Sequence, residues 1–211
     1  MDMDEFKARF EHTLAAFANG EALLLTDDPG RENEADLVVH ADKITQRQMA
    51  MMIRDGSGIV CLCLTERLAM RLAMRLALPD MVEINESAHA THFTVSIDAR
   101  HGISTGVSAS DRVRTIRSAV APAAQACDLV RPGHVFPLIA APGGVLQRPG
   151  HTEGSVDLAL LAALYPAVVI CELMNPDGSM ARGADIHRYA EIHQIKHLSI
   201  ADIILYRKTY R

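Results

Sequence analysis

Phe6, Phe10, Leu14 and Phe17 recur at helical spacing and Gly20 follows, so the first segment is predicted as an amphipathic helix ended by a glycine cap. Ala22 to Thr26 then forms a short apolar run, predicted as a strand. Thr45-Gln46-Arg47-Gln48 has the form of a capping box and opens a helix that stops near Gly56. Ile59 to Leu64 is a second β-rich run, in which Cys61 and Cys63 share one face.

From Arg67 the word Arg-Leu-Ala-Met occurs twice and Arg-Leu-Ala once more, a four-residue repeat that predicts a helix ending before Pro79, with Leu68, Leu72 and Leu76 as its apolar stripe. Phe93 to Ile97 is predicted as a strand and Gly102 to Gly106 as a loop. Ser108-x-x-Asp111 starts a helix carrying Val113, Ile116 and Val120. Strands are predicted at Val135 to Ile139 and Ala167 to Leu173, and between them Thr152 is expected to cap a helix whose first turn holds Glu153. After the turn Asn175-Pro176-Asp177-Gly178, two short helices near Asp185 to Gln194 and Ile200 to Tyr206 close the chain. Strands and helices alternate without a Gly/Ser-rich linker, which predicts one α/β domain over residues 1–211 with a mixed sheet covered by helices.

Composition narrows the function. A net charge of −5 and the absence of tryptophan argue against a nucleic-acid partner, which would need many Lys and Arg contacts or stacking platforms. The longest apolar stretch, Leu158 to Cys171, is interrupted by Pro166 and too short to span a bilayer, and the acidic start at Asp2, Asp4 and Glu5 is unlike a secretory signal. These features predict a cytoplasmic protein. Four cysteines without C-x-x-C spacing indicate reduced thiols. No G-x-G-x-x-G or Walker sequence occurs, so nucleotide-binding α/β folds lose their usual support.

The chemistry gathers in three places. Residues 27–36 hold five acids, and in an extended chain Glu32, Glu34 and Asp36 would share a face, repelling one another unless a divalent cation or shared protons relieved them. Arg-Pro-Gly-His occurs twice, at Arg131 to His134 and Arg148 to His151, and each copy is predicted to hold a cation and an imidazole on a stiff turn. The second copy leads into the Thr152 helix, whose N-terminus, with Arg148, can hold a phosphate. Glu172 ends an apolar strand, where a carboxylate can act in a cleft. Cys61, by contrast, fits a buried small hydrophobe.

Together these residues resemble the 3,4-dihydroxy-2-butanone 4-phosphate synthase family of riboflavin biosynthesis. The likeness rests on Asp27-Asp28 with Arg31-Glu32-Asn33-Glu34, Gly56 to Cys61, Ser104-Thr105-Gly106-Val107-Ser108, Arg131 to Pro137, Arg148-x-Gly150-His151-Thr152-Glu153 and Cys171-Glu172-Leu173. It implies a lyase that converts D-ribulose 5-phosphate to L-3,4-dihydroxy-2-butanone 4-phosphate and formate, with a three-layer α/β sandwich fold. Glu32 and His151 would ligate Mg²⁺, with two ions per site and Mn²⁺ tolerated. Arg31 and Asp36 would contact substrate, and Arg148, Pro149, Gly150, His151 and Thr152 would hold its phosphate. His134 and Glu172 would be the acid/base pair, and Glu34 and Cys61 would line the site. Thr105 would reach phosphate from the other subunit of a homodimer. Ala35 stands where the family usually has Gly, and the Arg-Leu-Ala-Met tract is about one helical turn longer than usual. The GTP cyclohydrolase II domain of some relatives is not expected.

Overall fold

The computed structural model describes residues 2–66, 68 and 78–211. Seven strands form one mixed sheet: β1 (Leu23–Thr26), β2 (Ala35–His40), β3 (Cys61–Thr65), β4 (Ile97–Ala99), β5 (Leu129–Ala140), β6 (Ala167–Glu172) and β7 (Lys196–Ser199), in the order β4-β5-β3-β6-β2-β1-β7. The β3–β5 and β1–β7 pairs are parallel and the other neighbours antiparallel.

Strand alternation builds the layers. Leu62 and Leu64 of β3 point into one core with Leu37, Val39 and Val169, while Cys61 and Cys63 point into the other with Val38, Val168 and Ile170. Against the first face pack Met49 and Met52 of α2 (Gln46–Asp55), Val113 and Ile116 of α3 (Ala109–Val120) and Ile186 of α5 (Ala184–His193). Against the second lie Phe6, Phe10 and Phe17 of α1 (Met3–Ala18), Val156 and Leu158 of α4 (His151–Leu161) and Ile200, Ile203 and Tyr206 of α6 (Ile200–Tyr210). The result is the expected three-layer sandwich.

Local signals act largely as predicted. Thr45 and Gln48 form the capping box of α2, Ser108 caps α3 through the Asp111 N–H, and Gly20, with φ +92°, follows α1. Four expectations change. Phe93 to Ile97 makes only isolated bridges at Phe93 and Thr94 before the regular strand at Ile97–Ala99. The strand β2 starts inside the acidic segment, and β7 fills the gap between the two predicted C-terminal helices, where no strand is predicted. Ala35 is the first residue of β2 and pairs with Thr26, so it belongs to the sheet rather than to the loop. The Arg-Leu-Ala-Met tract lies outside the described residues except for Leu68, which is buried.

The first Arg-Pro-Gly-His phrase is also not a turn. It lies within the span of β5 but is skipped by the ladder: Asp98 pairs with Val130 and Ile97 with Val135, so Arg131 to His134 are the extra residues of a bulge on β5. Gly133 permits this approach, because a Cβ there would lie 2.0 Å from the Ile97 carbonyl carbon. The constrained backbone of Pro and Gly thus forms a bulge between two paired stretches of β5 instead of a free turn.

Candidate active site

The acidic segment is organised by Asp27, which follows β1 directly and is buried. Its Oδ2 accepts from the Arg31 guanidinium (2.9 Å) and the Glu32 N–H (3.0 Å), and its Oδ1 accepts from the Glu34 N–H (3.0 Å). Asn33 adopts a left-handed φ of 56°, and the chain doubles back into β2. Glu32, Glu34 and Asp36 therefore do not share one extended face. Glu32 sits in the turn, only Asp36 is in the strand, and Glu34 pairs with Arg182 at 3.0 Å. The organising role of Asp27 is not legible in the sequence, because two of its three donors are backbone N–H groups.

The turn delivers Glu32 to the start of α4. Its Oε2 lies 3.3 Å from His151 Nδ1 and 2.8 Å from Arg31 Nη1. The bond to His151, then the charge of Arg31, holds the Glu32 carboxyl down at about 2 against the opposing effect of burial. Burial opposes charge on His151, but Asp36, Glu32 and Asp27 outweigh it and raise the imidazole to about 9. Burial pushes Asp36 up to about 7 despite His151.

Among the described residues, two buried polar atoms here have no hydrogen-bond partner: His151 Nε2 and Asp36 Oδ1. Ligand atoms of Asp27, Glu32 and His151 lie within 4.8 Å of one another. An imidazole nitrogen and carboxylates in that space fit a divalent cation. Both oxygens of Asp27 already hold the loop, whereas His151 Nε2 has no partner.

A cradle for an anion adjoins them. Gly150 is the N-cap of α4, and a Cβ there would lie 2.5 Å from Arg148 Nη1 and 3.1 Å from Arg31 Nη2, so two guanidiniums converge on the helix N-terminus. Arg148 donates through Nη1 to the buried Glu153 and through Nη2 to Thr91 Oγ1 at 2.8 Å. Thr152 is not the cap: it is the second helical residue, buried with its side chain off the cap position. Pro149 precedes the cap and brings Arg148 to it.

The sheet supplies the remaining groups. Cys61 pairs with Phe136 on one side and Ile170 on the other. His134 lies two residues before Phe136 and Glu172 two after Ile170 on an antiparallel strand, so both occupy the same face and end of the sheet, two strand spacings or about 10 Å apart. Asp36 is the direct partner of Glu172. Arg31, Glu32, Asp36 and Cys61, with Arg148, His151, Thr152 and Glu172, line a cavity of about 90 Å³. Burial pushes the Cys61 thiol well up, so it is a neutral wall of this cavity rather than a thiolate.

Two partners of these residues were not singled out in the sequence. Ser57 donates to Glu172 Oε2 at 2.6 Å, and Asp98 lies 2.7 Å from His134 Nδ1. Each contact joins distant segments, and a Ser or Asp alone carries no signal of it. Thr105 is exposed, in the loop whose Gly106 packs against Asp98 and His134, and does not line the Arg148 cavity.

A mixed-sheet sandwich with a carboxylate–imidazole pair, orphaned buried polar atoms and two guanidiniums at a helix N-terminus defines the class, an α/β enzyme with a candidate divalent-metal site. The chain belongs to the 3,4-dihydroxy-2-butanone 4-phosphate synthase family, whose model matches residues 11–206. It is 58% identical over 198 residues to the 3,4-dihydroxy-2-butanone 4-phosphate synthase of Bordetella pertussis, covering 94% of this chain and 84% of that one. Among solved structures, it resembles a 3,4-dihydroxy-2-butanone 4-phosphate synthase in complex with two magnesium ions, at 39% identity and a TM-score of 0.88 over 95% of this chain and 97% of that one. A two-domain synthase from A. baumannii is 45% identical with the same TM-score, over 95% of this chain and 58% of its own.

Proposed function

We propose that the enzyme converts D-ribulose 5-phosphate to L-3,4-dihydroxy-2-butanone 4-phosphate and formate, supplying the four-carbon unit of riboflavin in the cytoplasm. The observation that carries this reading is the meeting of His151, with its orphaned Nε2, a low-pKa Glu32 and Arg148 in the lining of one cavity beside the Gly150 N-cap. The cradle binds the phosphate through Arg148, the first N–H groups of α4 and Thr152. Arg31 and Asp36 hold the sugar hydroxyls.

Two Mg²⁺ ions, replaceable by Mn²⁺, would be held through Glu32 and His151 and supply positive charge where the substrate becomes anionic. His134 and Glu172 carry protons to and from the carbon chain as the C3 proton leaves, the C1 hydroxyl departs as water, the skeleton rearranges and, after water returns, C4 leaves as formate. These steps need alternating acid and base without a covalent nucleophile, which agrees with a neutral Cys61. Glu34 lines the acidic loop behind them, held by Arg182.

The enzyme acts as a homodimer in which Thr105 serves the phosphate of the neighbouring subunit. An exposed Thr105 apart from its own chain's cradle supports that arrangement. Incubation with D-ribulose 5-phosphate, with and without EDTA, tests the whole reading by measuring formate. Formate that appears with Mg²⁺ and stops with EDTA is expected. Isomerisation without formate would replace this reading with a phosphosugar isomerase.

A further inference from the structure

Ser57 stands between the end of α2 and β3, backed against the end of β6. Its N–H donates to the Glu172 carbonyl at 2.9 Å, and its hydroxyl reaches the Glu172 side chain, with 2.6 Å from Oγ to Oε2. The Ile59 N–H donates to the same Oγ at 3.0 Å. An amide N–H only donates, so it occupies a lone pair of the hydroxyl and leaves the one hydroxyl hydrogen for the carboxylate. Cys171 Sγ, 3.6 Å from Ser57 Oγ, is a weak competing acceptor, and its own proton is directed to the Met52 carbonyl.

The backbone around Ser57 has no room to drift. A Cβ on the preceding Gly56 would lie 2.6 Å from the Met52 carbonyl oxygen, 2.7 Å from that of Glu172 and 2.8 Å from Cys171 Sγ. The α2 terminus and the end of β6 are therefore in close contact, and the Ser57 hydroxyl is set relative to the Glu172 side chain by two elements of the fold.

We propose that Ser57 is a positioning residue for Glu172, holding Oε2 by a fixed donor so that Oε1 is presented to the cavity in one orientation. This rests on the acid/base role proposed for Glu172. A general acid or base is effective only within hydrogen-bond reach of the proton it moves, so loss of that orientation acts on turnover more than on binding.

The test compares Ser57→Ala, Ser57→Thr and Glu172→Gln in the full chain with Mg²⁺, measuring formate release against D-ribulose 5-phosphate concentration and thermal unfolding. A hydrogen bond to a charged group corresponds to about 10- to 100-fold, so S57A is expected to lose that much kcat with KM within about 2-fold. S57T, which keeps the hydroxyl, should recover to within about 3-fold of the parent, and Ser57→Cys, close in size but a weaker donor, should fall between. If S57A also unfolds at lower temperature, the S57C and S57T pair decides.

The inference is overturned if S57A turns over like the parent while E172Q is inactive. Equal loss in S57A and S57T, or a rise in KM alone, would also overturn it by assigning Ser57 to packing or binding. Turnover by E172Q would instead remove the acid/base role of Glu172 itself, and with it anything for Ser57 to position.

Discussion

Asp98 holds His134 by two bonds: Oδ1 accepts the backbone N–H at 3.0 Å and Oδ2 lies 2.7 Å from ring Nδ1. A carboxylate accepts and does not donate, so in a neutral ring beside it the proton sits on Nδ1 and Nε2 keeps its lone pair. Asp98 is buried, and its strand meets β5 at the bulge that Gly133 permits. Asp98→Asn can turn its NH₂ toward Nδ1 and reverse the tautomer, as in catalytic triads. The expected outcome is a fall in kcat for formate of about 100-fold or more with little change in KM. Unchanged kcat in D98N, with His134→Gln inactive, would show that the contact does not set the tautomer used in turnover.

Glu32→Gln keeps the shape of the carboxylate but removes its charge beside His151. Divalent cations favour charged oxygen donors, so Mg²⁺ affinity measured by calorimetry is expected to fall at least about 10-fold. Formate release should then need correspondingly more Mg²⁺. EDTA should stop the parent enzyme, and added Mg²⁺ should restore it. Equal Mg²⁺ affinity in parent and variant would remove Glu32 from the metal site.

The sequence made the first layer of this site legible and hid the second. Glu32, Arg148 and His151 stand in compact phrases whose chemistry is evident from neighbouring residues. Asp98 and Ser57 contact groups 36 and 115 positions away, which only the tertiary fold brings together. The strand β2 was missed because its six residues are all buried, so no polar alternation marks it. The twin Arg-Pro-Gly-His phrase shows the same limit. One copy bulges out of β5 and the other leads into α4, a difference set by the flanking segments and not by the four residues.

Gly133→Ala is expected to destabilise the fold. Its Cβ would meet the Ile97 carbonyl carbon, oxygen and the Asp98 nitrogen at 2.0 to 2.3 Å, all backbone atoms that cannot rotate away. The β4–β5 edge must separate, at a cost on the order of 3 kcal/mol. Urea unfolding measures it. A loss under about 0.5 kcal/mol, typical of a surface change, would mean that the edge yields freely.

His197 gives the stability a defined dependence on pH. Its ring bonds to Thr26 Oγ1 at 2.8 Å, and burial, followed by the nearby His187, lowers its pKa below the usual 6.5. Asp202 pulls the other way and Arg9 adds to the lowering. The folded state therefore binds this proton less readily than the unfolded chain, whose imidazole titrates at the ordinary value. Stability from this site is complete above pH 6.5 and declines as pH falls below it, because protonation favours unfolding. His197→Gln removes the titration and leaves an amide that can reach Thr26. Urea unfolding at pH 7.5 and 5.5 should show a smaller loss on acidification in H197Q than in the parent. Equal losses would place the acid sensitivity elsewhere in the fold.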